Sequence, residues 1–323
     1  MKRCPITYET FQGEGDYSQE GLRMLGLKLS KLDRLPFSAQ EQRQEALDRA
    51  GKMSIQGVQL KLSAVLRMAE HRFEIVDQGG RYIIKPPSAD YPDLPENEDL
   101  TMRLAATVGI EVPFHGLIYA NDGSLSYFVK RFDRVGRKRV PLEDFAQLSG
   151  ESRETKYESS MEKVAGVIDQ FCTFPAVERV KLFERTLFAF LTGNEDMHLK
   201  NFSLITRQGR VSLAPAYDFV NSTIALRNPQ EELALPLRGK KSTLTRNDFL
   251  VYYGRERLQI NERVCLDIFE RFQKAAPQWN TLLQESFLSG EMKTAYADVL
   301  NERWKRLAGV HWHDPSFQAC KSA

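Results

Sequence analysis

Three side chains with oxygen donors stand in a suggestive order: Asp196 and Asn201 in "GNEDMHLKNFSL", then Asp218 in "APAYDF". Four residues separate Asp196 from Asn201, the D-x-x-x-x-N spacing of loops that transfer the terminal phosphoryl group of ATP. In that chemistry Asp196 accepts or orients the proton of an acceptor hydroxyl, while Asn201 and Asp218 supply hard oxygen ligands to Mg2+. His198, between them, could contact nucleotide or metal-bound water. Taken singly, each residue is more often a helix cap, a turn residue or a satisfied structural group than a catalyst. The ordered set, falling within 23 residues after a long apolar helix pattern, is what points to chemistry.

A phosphoryl-transfer site also needs a cation for the phosphates. Lys85 ends the run "RYIIKPP" as the only charge among apolar neighbours. Pointing inward it requires a counter-ion, because an unpaired buried ammonium is too costly, and the helix pattern that follows offers Glu96 and Glu98. Pointing outward it is an ordinary strand-end lysine. "MSIQGVQLKLS" brings Gly57 before the first strand, with Lys61 as a second candidate phosphate contact or an exposed strand residue. One glycine is a weak phosphate-loop signal, since cradling phosphate takes several backbone N–H groups.

These residues need elements to hold them. Before about residue 134, short strand patterns dominate: "QLKLSAVLR", "HRFEIVDQGGRYIIKPP" and "SLSYFVKRFDR", the middle pair read as a hairpin through Gln78-Gly79-Gly80. Among them "PENEDLTMRLAATVG" has the period of a helix, with Leu100, Leu104 and Val108 on one stripe and Gly109 as its stop. Beyond about residue 145 helical periods take over in "SSMEKVAGVIDQFC", "PAVERVKLFERTLFAFLTGN", "NERVCLDIFERFQKA" and "EMKTAYADVLNERWKRLAG". One exception, "FSLITRQGRVSLAPAYDF", reads as a small hairpin around Gln208-Gly209. The expected organisation is α+β: a sheet-rich part over residues 1–135 and a helical part over residues 136–323.

Composition narrows the class. The chain has 323 residues, 42% apolar and 27% charged, which is enough for real cores. No apolar run approaches the ~20 residues of a membrane span and the start of the chain lacks a signal-peptide h-region, so a cytoplasmic location is expected. Cys4, Cys172, Cys265 and Cys320 are dispersed, with no zinc spacing. A net charge of +2 gives no global field for nucleic acid, and direct DNA binding is not expected.

The ordered motifs "SIQGVQLK", "YIIKP", "NED", "VKRFDR", "EDFAQ", "GNEDMHLKNFSL" and "YDF" resemble the HipA-like serine/threonine kinases, toxins of bacterial toxin–antitoxin modules, over roughly residues 20–310. With 53 residues ahead of Ser54, the chain is most similar to the HipT branch, whose modules also carry a small HipS protein. The resemblance implies a two-lobed protein-kinase-like fold, with ATP and Mg2+ as cofactors. Asp196 takes the catalytic place, Asn201 and Asp218 the metal places, and Lys85 the phosphate-binding place with Glu98 as its partner. Gly57, Val58, Gln59 and Lys61 fall in the ATP loop, and Val129 to Phe132, including Lys130, in the hinge that meets adenine. Asp133, Gln147 and His198 come near the ribose or catalytic loop.

The resemblance further implies autophosphorylation at Ser54, at a single site because Gln56 occupies the second position. It implies an aminoacyl-tRNA synthetase as substrate, tryptophanyl in the HipT branch and glutamyl in the HipA branch. Its implied partners are a HipB-like DNA-binding antitoxin and a HipS-like small protein. The residues alone leave open a small-molecule kinase, a metal-dependent phosphoesterase built on Asp196, His198 and Asp218, or a binding scaffold without turnover.

Overall fold

The computed structural model describes residues 1–49, 59–136, 138–152, 154–226 and 229–309. The chain divides into two compact units: residues 1–100, 113–138 and 285–289 form the first, and residues 101–112, 139–284 and 290–323 the second. Among the described residues no helix is long and apolar enough to cross a membrane.

The first unit contains strands β1 (Lys2–Arg3) and β2 (Thr10–Phe11), helices α1 (Gln19–Leu25) and α2 (Ala39–Arg49), and strands β3 (Leu62–Arg67), β4 (Arg72–Ile75) and β5 (Tyr82–Lys85). Helix α3 (Leu94–Thr107) begins here and continues into the second unit. Strands β6 (His115–Tyr119), β7 (Leu125–Lys130) and β8 (Arg134–Val135) follow. Five strands form one sheet in the order β4-β3-β5-β7-β6, every pair antiparallel.

That order corrects the expected hairpin. β4 and β5 do not pair with each other; they flank β3 on either side. The Val76 amide donates to the Ser63 carbonyl and the Arg81 amide to the Ala64 carbonyl, so the connecting loop passes across β3. A Cβ on Gly80 would overlap the Ser63 hydroxyl, which is why glycine stands where two backbones cross. Alternating hydrophobicity reports which face a residue takes, not which strand is its neighbour.

Period-2 alternation gives this sheet two different faces. Tyr82, Ile84, Ile118 and Phe128 pack with Leu62, Phe73 and the amino-terminal residues Ile6, Leu22, Leu25 and Leu35 in one core. Each such side chain contributes roughly 1.5–3 kcal/mol of burial. On the opposite face lie Lys85 and its cross-strand partner Tyr127, and His115 with its partner Val129. Strand β6 was not anticipated from the sequence; "HGLIY" is buried almost throughout and shows no alternation.

Strand β9 (Lys138–Arg139) straddles the boundary, and the second unit contains β10 (Leu142–Asp144), α4 (Phe145–Leu148), α5 (Met161–Phe171) and α6 (Pro175–Leu191). A single 3-10 turn (Leu199–Asn201) leads into β11 (Ser203–Arg207) and β12 (Arg210–Leu213). Helices α7 (Ser222–Ala225), α8 (Glu262–Lys274), α9 (Ala276–Glu285) and α10 (Gly290–Ala308) complete it, with a π-type helical segment at Asp248–Arg257. The hairpin expected around Gln208-Gly209 is present, both residues having positive φ, and β10 adds a third strand along β11. Helix α6 is its axis: from Leu182 to Leu191 it is buried nearly all round, including Phe183, Phe188 and Phe190.

Candidate functional site

In the first unit the sheet face opposite the apolar core carries charge. Lys85 Nζ donates to Glu98 Oε1 at 2.6 Å, with the residues only 3% and 2% exposed. One position further along α3, Asp99 Oδ1 lies 2.8 Å from His115 Nδ1. The Tyr127 ring joins both pairs, 5.7 Å from Lys85 Nζ and 5.7 Å from the His115 ring. Glu98, not Glu96, therefore holds the lysine. Burial pushes the Glu96 carboxyl up to about 8, helped by the nearby Asp93 and Asp99 charges.

At the end of β7, the Lys130 amide donates to the Phe114 carbonyl and the Arg131 amide to the Arg81 carbonyl. The Lys130 side chain is exposed. Asp133 is gripped by Arg131 in a two-pronged pair, Nε to Oδ1 at 2.9 Å and Nη2 to Oδ2 at 2.7 Å, and also by Arg134. Burial alone would raise this carboxyl, but the hydrogen bonds and charge of the two arginines outweigh it and hold it below its ordinary range. Ser54, Gly57 and Val58 lie outside the described residues, and Gln59 and Lys61 immediately precede β3.

The second unit builds its loop from the end of α6. Gly193 has a φ of +66°, and a Cβ there would come within 2.7 Å of Asn221 Oδ1 and 2.8 Å of Thr223 Oγ1, so only glycine passes. Helix α7 clamps the loop from one side: the Thr223 amide donates to the Gly193 carbonyl at 3.0 Å. The Glu195 amide donates to Ser222 Oγ at 2.6 Å, and its carboxylate accepts from Thr223 Oγ1 and the Glu231 amide. Glu195 is thus a buttress, and it leaves its neighbour Asp196 outward with a side chain 51% exposed.

Around Asp196, His198 and Asn201 come within hydrogen-bonding distance. The Asp196 carbonyl accepts from the His198 amide and from Asn201 Nδ2, both at 2.8 Å. The Asn201 amide nitrogen is committed to that bond, so its oxygen is the end directed elsewhere, as a hard cation requires. Asp218 has a φ of +57°, in the left-handed region, immediately after Tyr217. Tyr217 is itself pinned, sharing a hydrogen bond with Ser203 Oγ at 2.5 Å and donating to the Lys200 carbonyl at 3.0 Å. Buried Arg185 on α6 holds the same stretch through the Ala214 carbonyl at 2.6 Å. The Asp218 charge acts on His198. One carboxylate and one amide suit a cation carried largely by nucleotide phosphates. Among the described residues no group of three or more His, Cys, Asp and Glu side chains forms a metal cage.

Two members of this cluster were not visible in the sequence. Lys156 Nζ lies 2.7 Å from His198 Nε2, and the Tyr157 hydroxyl donates to Asp196 Oδ1. An ammonium has only protons to offer, so His198 Nε2 accepts and the ring proton sits on Nδ1. Burial keeps the imidazole below its ordinary pKa, against the opposing pull of Asp196 and with the help of Lys156. One other candidate, Gln147, and the loop residue Lys200 serve locally. Gln147 closes a capping box with Asp144 at the start of α4, and Lys200 pairs with Asp144 at 3.0 Å.

Comparisons with known proteins agree with this architecture. The description "HipA-like C-terminal domain" matches residues 53–279. A Haemophilus influenzae protein provisionally described as a kinase is 32% identical over 326 residues, covering 90% of this chain and 92% of its own. The serine/threonine-protein kinase toxin HipA of Shewanella oneidensis is 29% identical over 197 residues, 55% of this chain and 45% of that one. Among solved structures, a chain of the Shewanella oneidensis complex of HipA, HipB and operator DNA superimposes with a TM-score of 0.68 at 21% identity, covering 88% of this chain and 74% of its own. The Helicobacter pylori proinflammatory kinase CtkA gives 0.54 at 18% identity, covering 79% and 92%. These two show the α+β kinase-like fold. With the family description spanning most of the chain and a relative aligned nearly end to end, the chain belongs to the HipA-like C-terminal domain family.

Proposed function

We propose that this chain is an ATP- and magnesium-dependent serine/threonine protein kinase acting as the toxin of a bacterial toxin–antitoxin system. The observation that carries the reading is the Lys85–Glu98 pair, 2.6 Å apart and buried on a sheet face. Burying two charges costs several kcal/mol per ion before their attraction repays it, so a dry ion pair is weak evidence for stability and better evidence for a task. The matching task is to hold a lysine ammonium against ATP phosphates, the helix glutamate fixing its position.

Within this reading Asp196 accepts the proton of the acceptor hydroxyl on its side-chain carboxylate. His198, neutral, lines the loop without competing for that proton. Asn201 and Asp218 would hold Mg2+, which supplies charge neutralisation on the phosphates. Val129 to Phe132 offer backbone to adenine, and Gln59 and Lys61 would contribute to phosphate binding. The substrate is an aminoacyl-tRNA synthetase, tryptophanyl as in the HipT branch ahead of glutamyl, and the partners are a HipB-like antitoxin and a HipS-like protein. The relative solved together with HipB and DNA supports an antitoxin partner.

The test is incubation of the purified chain with Mg2+, γ-labelled ATP and a bacterial lysate. Label in one protein band, absent with Asp196→Asn, is expected. Label confined to metabolites would replace the reading with a small-molecule kinase. Mass spectrometry of phosphosites in the same reaction identifies the synthetase and reads modification at Ser54.

A further inference from the structure

The loop between α4 and α5 brings two side chains onto the catalytic loop that the proposed reaction leaves unused, Lys156 on His198 and Tyr157 on Asp196. Lys156 is the anchor. Its residue is 9% exposed, its ammonium meets His198 Nε2 at 2.7 Å, and its carbonyl accepts the Leu199 amide at 3.3 Å. Tyr157, the next residue, is 39% exposed. Its ring sits edge-on to His198 at 5.0 Å and beneath the Lys156 ammonium at 4.9 Å. Its hydroxyl donates to Asp196 Oδ1.

A hydroxyl donating its proton to the catalytic carboxylate is the arrangement an acceptor serine or threonine must itself adopt. The phenol therefore occupies, from within the chain, a place for which both acceptor hydroxyl and water compete. Its neighbour is buried while Tyr157 itself is 39% exposed, so rotation of one side chain can vacate the carboxylate oxygen and leave the anchor docked. We propose that Tyr157 is an acceptor-side gate: it covers the Asp196 carboxylate against water and yields to the hydroxyl of a docked protein substrate.

The gate acts on a balanced side reaction. In hydrolysis a water oxygen bonds the terminal phosphorus of ATP, the bond to the ADP oxygen breaks, and the proton of the water passes to Asp196 and on to solvent. Protein phosphorylation differs only in the attacking oxygen. A phenol on the carboxylate handicaps small mobile water, which brings no binding energy of its own, more than an acceptor positioned by a docked protein. Tyr157 thus sets the ratio of transfer to hydrolysis.

This inference rests on the kinase reading, and Tyr157→Phe separates the two because it removes a single oxygen and keeps the ring on His198. In the full chain, hydrolysis of ATP without acceptor is expected to rise about tenfold, equivalent to about 1.4 kcal/mol. Phosphorylation of the lysate substrate should change less than hydrolysis, lowering the yield of phosphoprotein per ATP consumed. Lys156→Met, which loosens the anchor and keeps the hydroxyl, should move the ratio the same way by a smaller factor. An unchanged ratio in Tyr157→Phe, with transfer intact, overturns the gate alone. A fall of hydrolysis and transfer together also overturns it and makes Tyr157 a positioning residue for Asp196. Absence of both activities from the unaltered chain removes the kinase reading and the gate with it.

Discussion

The two units place charge in opposite surroundings. Lys85 and Glu98 sit on regular elements, β5 and α3, and are almost wholly removed from solvent. Asp196 sits on a loop with half its side chain in water, braced from below by Gly193, Glu195 and α7. A dry pair ties any task it performs to the integrity of the fold, because neither charge survives the loss of the other. A loop carboxylate on a stiff base keeps chemistry and stability apart. The difference teaches which substitutions report on reaction and which on folding.

The largest contrast comes from Asp196→Asn. Loss of the proton acceptor should lower phosphoryl transfer by roughly 10²- to 10⁴-fold, with a melting temperature close to that of the unaltered chain. Steady-state kinetics beside calorimetry checks both halves, and a large drop in melting temperature would erase the distinction between the units.

Next in size is Glu98→Ala. It leaves the Lys85 ammonium buried without this partner, and the cost should be about 3–5 kcal/mol in urea unfolding, whatever happens to activity. Glu98→Gln should recover part of it through a hydrogen bond. A loss under 1 kcal/mol would mean that the pair is far better hydrated than its burial indicates.

Acidity sharpens the comparison through two smaller effects of opposite sign. Glu96 in the first unit titrates near 8 when folded against an ordinary 4.5, so the folded state binds more protons and stability falls as pH rises from about 4.5 through about 8. Glu96→Gln should remove that slope. His198 in the second unit is held below its ordinary value, so the unfolded chain takes up the proton first and stability falls as pH drops through about 6.5. His198→Gln should flatten this acid limb by the smallest amount of the four. Chemical denaturation at half-unit pH steps measures both slopes.

Much of this was legible in the residues, for identifiable reasons. Lys85 announced itself as a lone charge in an apolar strand, and the α3, α5, α6, α8 and α10 stripes repeat at the helical period. Asp196 and Asn201 lie close in the chain, so one short loop joins them, and Asp218 follows the β11–β12 hairpin in sequence. What stayed hidden depends on distant pairing. Whether β4 joins β5 or β3 turns on strand order, which alternation does not encode. His115 had no signal apart from β6, and β10 is three residues long. Tyr157 reaches Asp196 across 39 positions from a polar loop without periodicity.

The left-handed backbone of Asp218 has a practical corollary for dissecting the metal position. Few side chains tolerate that conformation, and asparagine is among them, sharing aspartate's shape and its enrichment there. Alanine would mix relaxation of the main chain with deletion of the carboxylate, whereas asparagine subtracts a negative charge and little else. An amide scan at this one position is therefore the cleanest way to count how much of cation affinity is charge and how much is geometry.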